Sequence, residues 1–158
     1  MKTSDNGRKF IEGFEGLFLK AYDDANDHIV QPGQSIHGTL TIGYGHTNTA
    51  GPPHVYIGME ITKEEADTIL GSDLTSVELQ VAHLIKVPIN QNQFDALVSF
   101  DFNTGGLGRS STLRDINAGH MQAAADALLM WDRASGRVLP GLLHRRRAER
   151  ELFLRGGA

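Results

Sequence analysis

Thr41-Ile42-Gly43-Tyr44-Gly45-His46-Thr47 closes a stretch, Ile36 to Thr47, whose side chains alternate in character. Ile36, Gly38, Leu40, Ile42 and Tyr44 fall on one side, and His37, Thr39, Thr41, Gly43 and Gly45 on the other. A period of two predicts a strand or hairpin with one covered face. Upstream, Phe10, Phe14, Leu17 and Ala21 recur at helical spacing with Ile11 and Phe18 beside them, which predicts an opening helix over roughly 4–22. Between the two, Asp23 to Gln34 is polar and holds Pro32-Gly33, so it is expected as a loop.

Downstream the pattern is helical. Thr62-Lys63-Glu64-Glu65 has the form of a capping box and opens a helix expected to reach about Ile85. Asn90 caps a second helix that runs through Phe102 and stops near Gly105-Gly106. Ser110 or Ser111 begins another that Gly119 closes; residues 121–132 and 142–155 complete the set, the last ending at Gly156-Gly157. Strand content clusters early and helices follow, so the fold class is α+β.

The chain has 158 residues, the length of one domain, expected as 1–158. Hydrophobic residues are 40% and charged residues 22%, a composition that supports a folded core. It contains no cysteine, which excludes a disulfide scaffold, a thiol nucleophile and a Cys-ligated zinc site. The net charge is −4 but uneven: residues 133–158 carry seven Arg against Glu149 and Glu151, on an otherwise acidic body. That basic end matches the acidic body or attracts an anionic polymer. It lacks interleaved aromatics, so nucleic acid is not expected as a partner. No apolar run approaches the ~18 residues of a membrane span, and the first nine residues show no apolar signal core. Stable membrane insertion and a secretory signal are therefore not expected.

Two carboxylates could carry chemistry. On a continuous opening helix Glu15 would share a stripe with Ile11, Phe18 and Tyr22. Partial desolvation there would raise its pKa, as a general acid requires. The alternative is a structural carboxylate paired with an Arg. Asp24, at the head of the polar loop, should stay solvated and ionised, with Asp23 and Asp27 as rivals. One protonated and one ionised carboxyl is the arrangement that cleaves glycosidic bonds. Thr41 has a hydroxyl able to position a water, with Thr39 a weaker rival, and Gly43 and Gly45 would let a sugar or another chain approach the backbone. Asn103 ends its helix or reaches a glycan. His46 is expected to bond a carboxylate. The seven His form no HExxH or helical His-x-x-x-His pair, so neither metal nor cofactor is expected. Trp131 is expected as a core anchor, and Phe94, Leu97 and Val98 as core. On the last helix Leu142, Arg146, Glu149 and Phe153 share a face, so Arg146 needs a partner, for which Glu15 is one option; the other Arg side chains are expected to be solvated.

Phe14-Glu15-Gly16-Leu17, then Lys20-Ala21-Tyr22-Asp23-Asp24, then Thr41 to Thr47 resemble the phage-type lysozymes, the family 24 glycoside hydrolases. Asn90 to Leu97, Phe102-Asn103-Thr104-Gly105, and Gly141 to Arg150 are similar to later segments of that family, so the resemblance spans nearly the whole chain. It implies a lysozyme-like fold: a small N-terminal β-sheet subdomain, a mainly helical C-terminal lobe and an active-site cleft between them. It also implies a murein hydrolase, an endolysin that cuts between N-acetylmuramic acid and N-acetylglucosamine in bacterial peptidoglycan. Glu15 would match the catalytic acid and Asp24 the second carboxylate, the eight intervening residues being kept. Thr41 would match the catalytic threonine. Gly43, Gly45 and Asn103 would meet the substrate, with His46 and Arg146 in support; inversion at the anomeric carbon is favoured. A monomer is expected, held in the host cytoplasm until a holin-type lesion releases it. One departure stands out. The family usually separates this Asp and Thr by about five residues, whereas sixteen, Ala25 to Leu40, intervene here, expected as a loop insertion over about 25–35 whose closure costs little.

Overall fold

The structure, a computed structural model, describes residues 1–156. The chain forms two compact units, one comprising Ile11–Asp73 and the other Met1–Phe10 with Leu74 onward. The class is α+β.

The opening helix is short. Helix α1 spans Asp5–Glu12, and strand β1, Phe18–Asp23, occupies the second half of the segment expected to be helical. Gly13 and Gly16 lie just past the helix end, and Gly16 takes φ +41°, a left-handed conformation that the α-helix does not tolerate. Glu15 therefore sits in a turn, its N–H donating to the Ile11 and Glu12 carbonyls at 3.2 and 3.3 Å. The apolar spacing was real, but it belongs to a helix and a strand in succession.

The Ile11–Asp73 unit holds a four-stranded antiparallel sheet in the order β2-β1-β3-β4, with β2 His28–Ile29, β3 Leu40–Gly43 and β4 His46–Thr47. Strand β2 corrects the expectation of an unbroken loop over 23–34. Strand β1 pairs with β3 at Phe18↔Gly43 and then at Tyr22↔Thr41, so it carries extra residues between these points. The backbones of Leu19 and Ala21 turn instead to Ile61 and Met59. The irregularity breaks the alternation of faces, and Ala21, Tyr22 and Asp23 are all buried in succession. Strand β3 and its turn behave likewise: Thr41 to Tyr44 are all buried, where the two-residue period predicted one exposed face.

Helix α2, Lys63–Leu84, begins at the expected capping box: Glu65 N–H donates to Thr62 Oγ1 and Thr62 N–H to Glu65 Oε1, both at 3.1 Å. In the other unit, helix α3, Gln91–Thr104, has a second capping box on Asn90 and stops at Gly105. Helices α4, Ser111–Asn117, and α5, Met121–Leu128, follow, with Ser110 accepting the Leu113 N–H as N-cap. The segment after α5 forms a two-residue turn at Ser135-Gly136 between β5, Arg133–Ala134, and β6, Arg137–Val138. Helix α6, Pro140–Leu154, starts two residues earlier than expected because Pro140 is well suited to a first helical position. Gly157, expected with Gly156 to end it, lies outside the described residues. Phe94, Leu97, Val98, Phe100, Leu128 and Phe153 are buried in this unit, which places the three expected core residues correctly.

Replacing Asn90 by Ala removes half of a reciprocal cap. The expected loss is about 1 kcal/mol of unfolding free energy, read as a lower urea midpoint at unchanged m-value.

Candidate active site

Strand β3 is tied to the end of β1 by two adjacent aspartates. Asp23 is buried and accepts three backbone N–H groups, from His37 at 2.7 Å, Gly38 at 2.9 Å and Ala25 at 3.0 Å. The His37 and Ala25 hydrogen bonds above all hold its pKa below the usual carboxylate range, with a further contribution from Gly38 and the neighbouring His37 ring, against the opposing effect of burial. Asp23 is thus a structural anchor, its carboxylate committed to three backbone N–H groups.

Asp24 is exposed, and its Oδ1 accepts the Thr39 N–H at 2.6 Å. The Asp24 N–H in turn donates to the Thr39 carbonyl at 3.1 Å, and the same carbonyl accepts the Thr41 hydroxyl at 2.9 Å. One peptide segment, Thr39, therefore orients both Asp24 and Thr41. Thr39 takes part through its backbone, not through the side chain that made it a rival to Thr41. Gly38 permits the contact: a Cβ there would lie 2.2 Å from Asp24 Oδ1 and 2.8 Å from the Ala25 nitrogen.

Glu15 approaches the other end of β3. A Cβ on Gly45 would stand 3.8 Å from Glu15 Oε2. Gly43 and Gly45 flank the Tyr44 turn with φ of +68° and +81°, so the turn itself demands glycine at both. The helical stripe expected to desolvate Glu15 is absent, since Phe18 and Tyr22 stack on each other along β1 with ring centroids 3.8 Å apart.

Tyr22 joins these groups. Its phenol is pushed above its ordinary pKa, first by burial and then by the charges of Asp27, Asp24 and Glu15. Glu15 and Asp24 thus lie within electrostatic reach of one hydroxyl. Asp27 does too, on a turn with φ +59°. Sequence reasoning placed Tyr22 only as a helical neighbour of Glu15; the Tyr-Asp-Asp run was the available signal. On the polar side of the loop, Asn26, His28, Gln34 and His37 line a hollow of about 560 Å³.

His46 is buried, its Nδ1 2.7 Å from Asp73 Oδ2 and its Nε2 2.8 Å from the Pro53 carbonyl. Burial raises the Asp73 carboxyl above its usual range, and the His46 hydrogen bond and charge pull it back. His46 is thereby fully engaged in fixing β4. Among the described residues no group of three or more His, Asp or Glu gathers as a metal site.

In the other unit Arg146 is wholly buried, and its partner is Glu149, one turn along its own helix, at 2.7 Å. Glu149 also takes Arg145 Nε at 3.1 Å and the Ser99 hydroxyl at 2.9 Å. This corrects the expectation that the remaining arginines are solvated: Arg145 is only 4% exposed. Burial pushes the Glu149 carboxyl up and the Arg146 guanidinium down, and their mutual attraction opposes both shifts. Asn103 is exposed on the last turn of α3. Trp131 is half-buried and meets Phe100 edge-on at 5.3 Å, so it anchors the core with only part of its ring.

The phage lysozyme family model matches residues 12–149. The chain belongs to the phage lysozyme family. It is 43% identical to the endolysin of Salmonella phage P22 over 98% of this chain and 99% of that one. A crystal structure of a P22 lysozyme variant superposes with a TM-score of 0.83 at 41% identity, covering 98% and 99% of the two chains. The muramidase domain of SpmX from Asticaccaulis excentricus gives 0.80 at 38% identity over 97% of each. This family member is a muramidase, a glycoside hydrolase, and its substrate is peptidoglycan. Among the described residues no helix is long and apolar enough to cross a membrane.

Two outcomes are expected from the loop anchors. Gly38→Ala drives a methyl into Asp24 and should cost on the order of 10²-fold in lytic rate, the scale of an ångström-level misplacement, while circular dichroism stays that of the wild type. Asp23→Asn should lower stability at neutral pH. The folded pKa of Asp23 lies below the unfolded ~3.9, so its contribution is fully present above that value and fades as pH falls through the folded one. Urea titrations of wild type and variant should therefore differ at pH 7 and converge as pH falls through the folded-state pKa of Asp23.

Proposed function

We propose that the enzyme hydrolyses the β-1,4 bond between N-acetylmuramic acid and N-acetylglucosamine, with Glu15 as general acid and Asp24 and Thr41 positioning the attacking water. The observation that carries this reading is the Thr39 peptide, which holds both Asp24 and Thr41, with Glu15 beside Gly45 at the other end of the same strand.

The Glu15 carboxyl donates its proton to the glycosidic oxygen as the bond from that oxygen to the anomeric carbon breaks. A water attacks the anomeric carbon from the opposite face. Asp24 Oδ1 is held by the Thr39 N–H, so Oδ2 takes the water's proton. Thr41 has its own proton committed to the Thr39 carbonyl, so its lone pairs accept the water's second O–H. Glu15 lies at the Gly45 end of β3 and Asp24 at the Thr39 end. Strand residues advance ~3.3 Å each, so this placement supports the wider ~6.5–9.5 Å separation of inverting enzymes over the ~5–5.5 Å of retaining ones. Asp24 is preferred to Asp27 because only Asp24 shares the Thr39 peptide with Thr41.

Gly43 and Gly45 present bare backbone to the sugar, and Asn103 offers an amide. We further propose that the protein acts as a monomer held in the host cytoplasm and released to the wall through a holin-type membrane lesion.

Glu15→Gln should abolish turbidity loss of a peptidoglycan suspension while the unfolding midpoint stays within a small margin of wild type. Lysis at the wild-type rate removes Glu15 from its role. Products should carry a reducing end of inverted configuration by proton NMR; anhydro ends by mass spectrometry identify a lytic transglycosylase instead.

A further inference from the structure

The insertion between Asp24 and Thr41 does more than return the chain to its strand. It builds the hollow of about 560 Å³, a volume typical of a ligand pocket. Apart from Asp23, the described lining comes from residues 26–37, so a chain with a short Asp-to-Thr connection would lack the hollow. Two carboxamides are fixed in it. Asn26 Oδ1 accepts the His28 N–H at 3.0 Å, and Gln34 Oε1 accepts the Gln31 N–H at 2.7 Å. With each oxygen used by the backbone, each NH2 group is kept as a donor. Both amides are oriented before a ligand arrives, which lowers the ordering cost of binding. Beside them Ile29 is 38% exposed over buried Val30, an apolar patch within the same hollow. The Asp23 carboxylate is occupied by its three backbone N–H groups. Asp24 and Asp27 are exposed carboxylates on the adjoining backbone, and they disfavour an anionic ligand. The chemistry left is that of a neutral group with a strong acceptor and a small apolar part.

We propose that this hollow is an additional sugar site supplied by the insertion, which binds the acetamido group of an N-acetylhexosamine through the Asn26 and Gln34 amides. The proposal rests on the muramidase reading and adds a contact outside the groups assigned to bond cleavage. The acetamido carbonyl is an uncharged acceptor able to take both NH2 groups, one on each lone pair. Its methyl group is suited to the Ile29 face. The imidazoles of His28 and His37 and the Ser35 hydroxyl line the same hollow and offer partners to the ring hydroxyls.

The test uses Asn26→Asp, Gln34→Glu and the double variant. Each substitution keeps the oxygen that holds its turn and removes only the NH2 group. The probe is di-N-acetylchitobiose, which is neutral, so the added charges do not repel it; cellobiose, which lacks the acetamido groups, is the control. In heteronuclear NMR of the wild type, the side-chain NH2 signals of Asn26 and Gln34 should shift and saturate with chitobiose and stay in place with cellobiose. The double variant should bind chitobiose about tenfold more weakly, with the backbone N–H signals of His28 and Gln31 showing that both turns persist. On glycan strands freed of peptide by an amidase, its KM should rise by about the same factor at unchanged kcat, read from released reducing ends. Wild-type NH2 signals that ignore chitobiose, or respond equally to cellobiose, overturn the proposal, as does a double variant that binds chitobiose as tightly as the wild type. Each of these leaves lysis by the wild type intact. A wild type that releases no reducing ends from peptidoglycan defeats the muramidase reading itself, and the proposal with it.

Discussion

The Asp23-Asp24 pair closes a fifteen-residue excursion, from Ala25 to Thr39, back onto the strand it left. Asp23 accepts N–H groups from both ends of that excursion, Ala25 on one side and His37 and Gly38 on the other. Asp24 completes the closure through two hydrogen bonds to Thr39. The position of Thr41 then depends on the clasp and not on the length of chain between. Closure entropy grows only as the logarithm of loop length, so a few charge-assisted bonds at the base suffice to hold a long insertion. The insertion can vary while the relation of Asp24 to Thr41 is kept.

This is also why motif and local conformation were not equally legible in the sequence. Glu15, Asp24 and Thr41 were found by residue type and motif, and neither depends on local conformation. The helix expected through Tyr22 came from apolar periodicity, which cannot separate one helix from a short helix followed by a strand. Two glycines in four residues, Gly13 and Gly16, were the contrary signal. Likewise the alternation over 36–46 pointed to strand, but only Leu40–Gly43 and His46–Thr47 pair, because Tyr44-Gly45 turns and the residues before Leu40 belong to the clasp. The helix caps at Thr62, Asn90 and Ser110 were readable because a cap is a contact between residues three apart. The partners of Arg146 and His46 depend on tertiary packing; Glu149 was visible on the same helical face, whereas Asp73 lies 27 residues from His46.

The two units hold themselves together by different means. The unit containing Phe94, Phe100, Leu128 and Phe153 buries large side chains on long helices, and its buried arginines, Arg145 and Arg146, pack around one carboxylate, Glu149. The Ile11–Asp73 unit has short strands and long connections, and much of its backbone is held by polar side chains: buried Asp23 under the loop, buried His46 between Asp73 and Pro53, and Asn48 bonded to both backbone groups of buried Val55. Removing any of these leaves a buried donor or acceptor unpaired, which costs more than the bond itself contributes.

That difference follows from what a hydrolytic site requires. If Asp24 delivers the water, as proposed above, it must remain wet and cannot be fixed by apolar packing. It has to be held from behind, by partners that leave one face of the carboxylate to solvent. The Thr39 peptide does this: its N–H takes one oxygen of Asp24 and its carbonyl takes the Thr41 proton, so each side chain keeps acceptor capacity for the proposed water. Glu15 is placed by the same economy, in the turn between α1 and β1 beside a glycine that offers it no side chain. Hydrogen bonds on its inner side hold Asp24 in place, and its open face is a consequence of where those bonds are made.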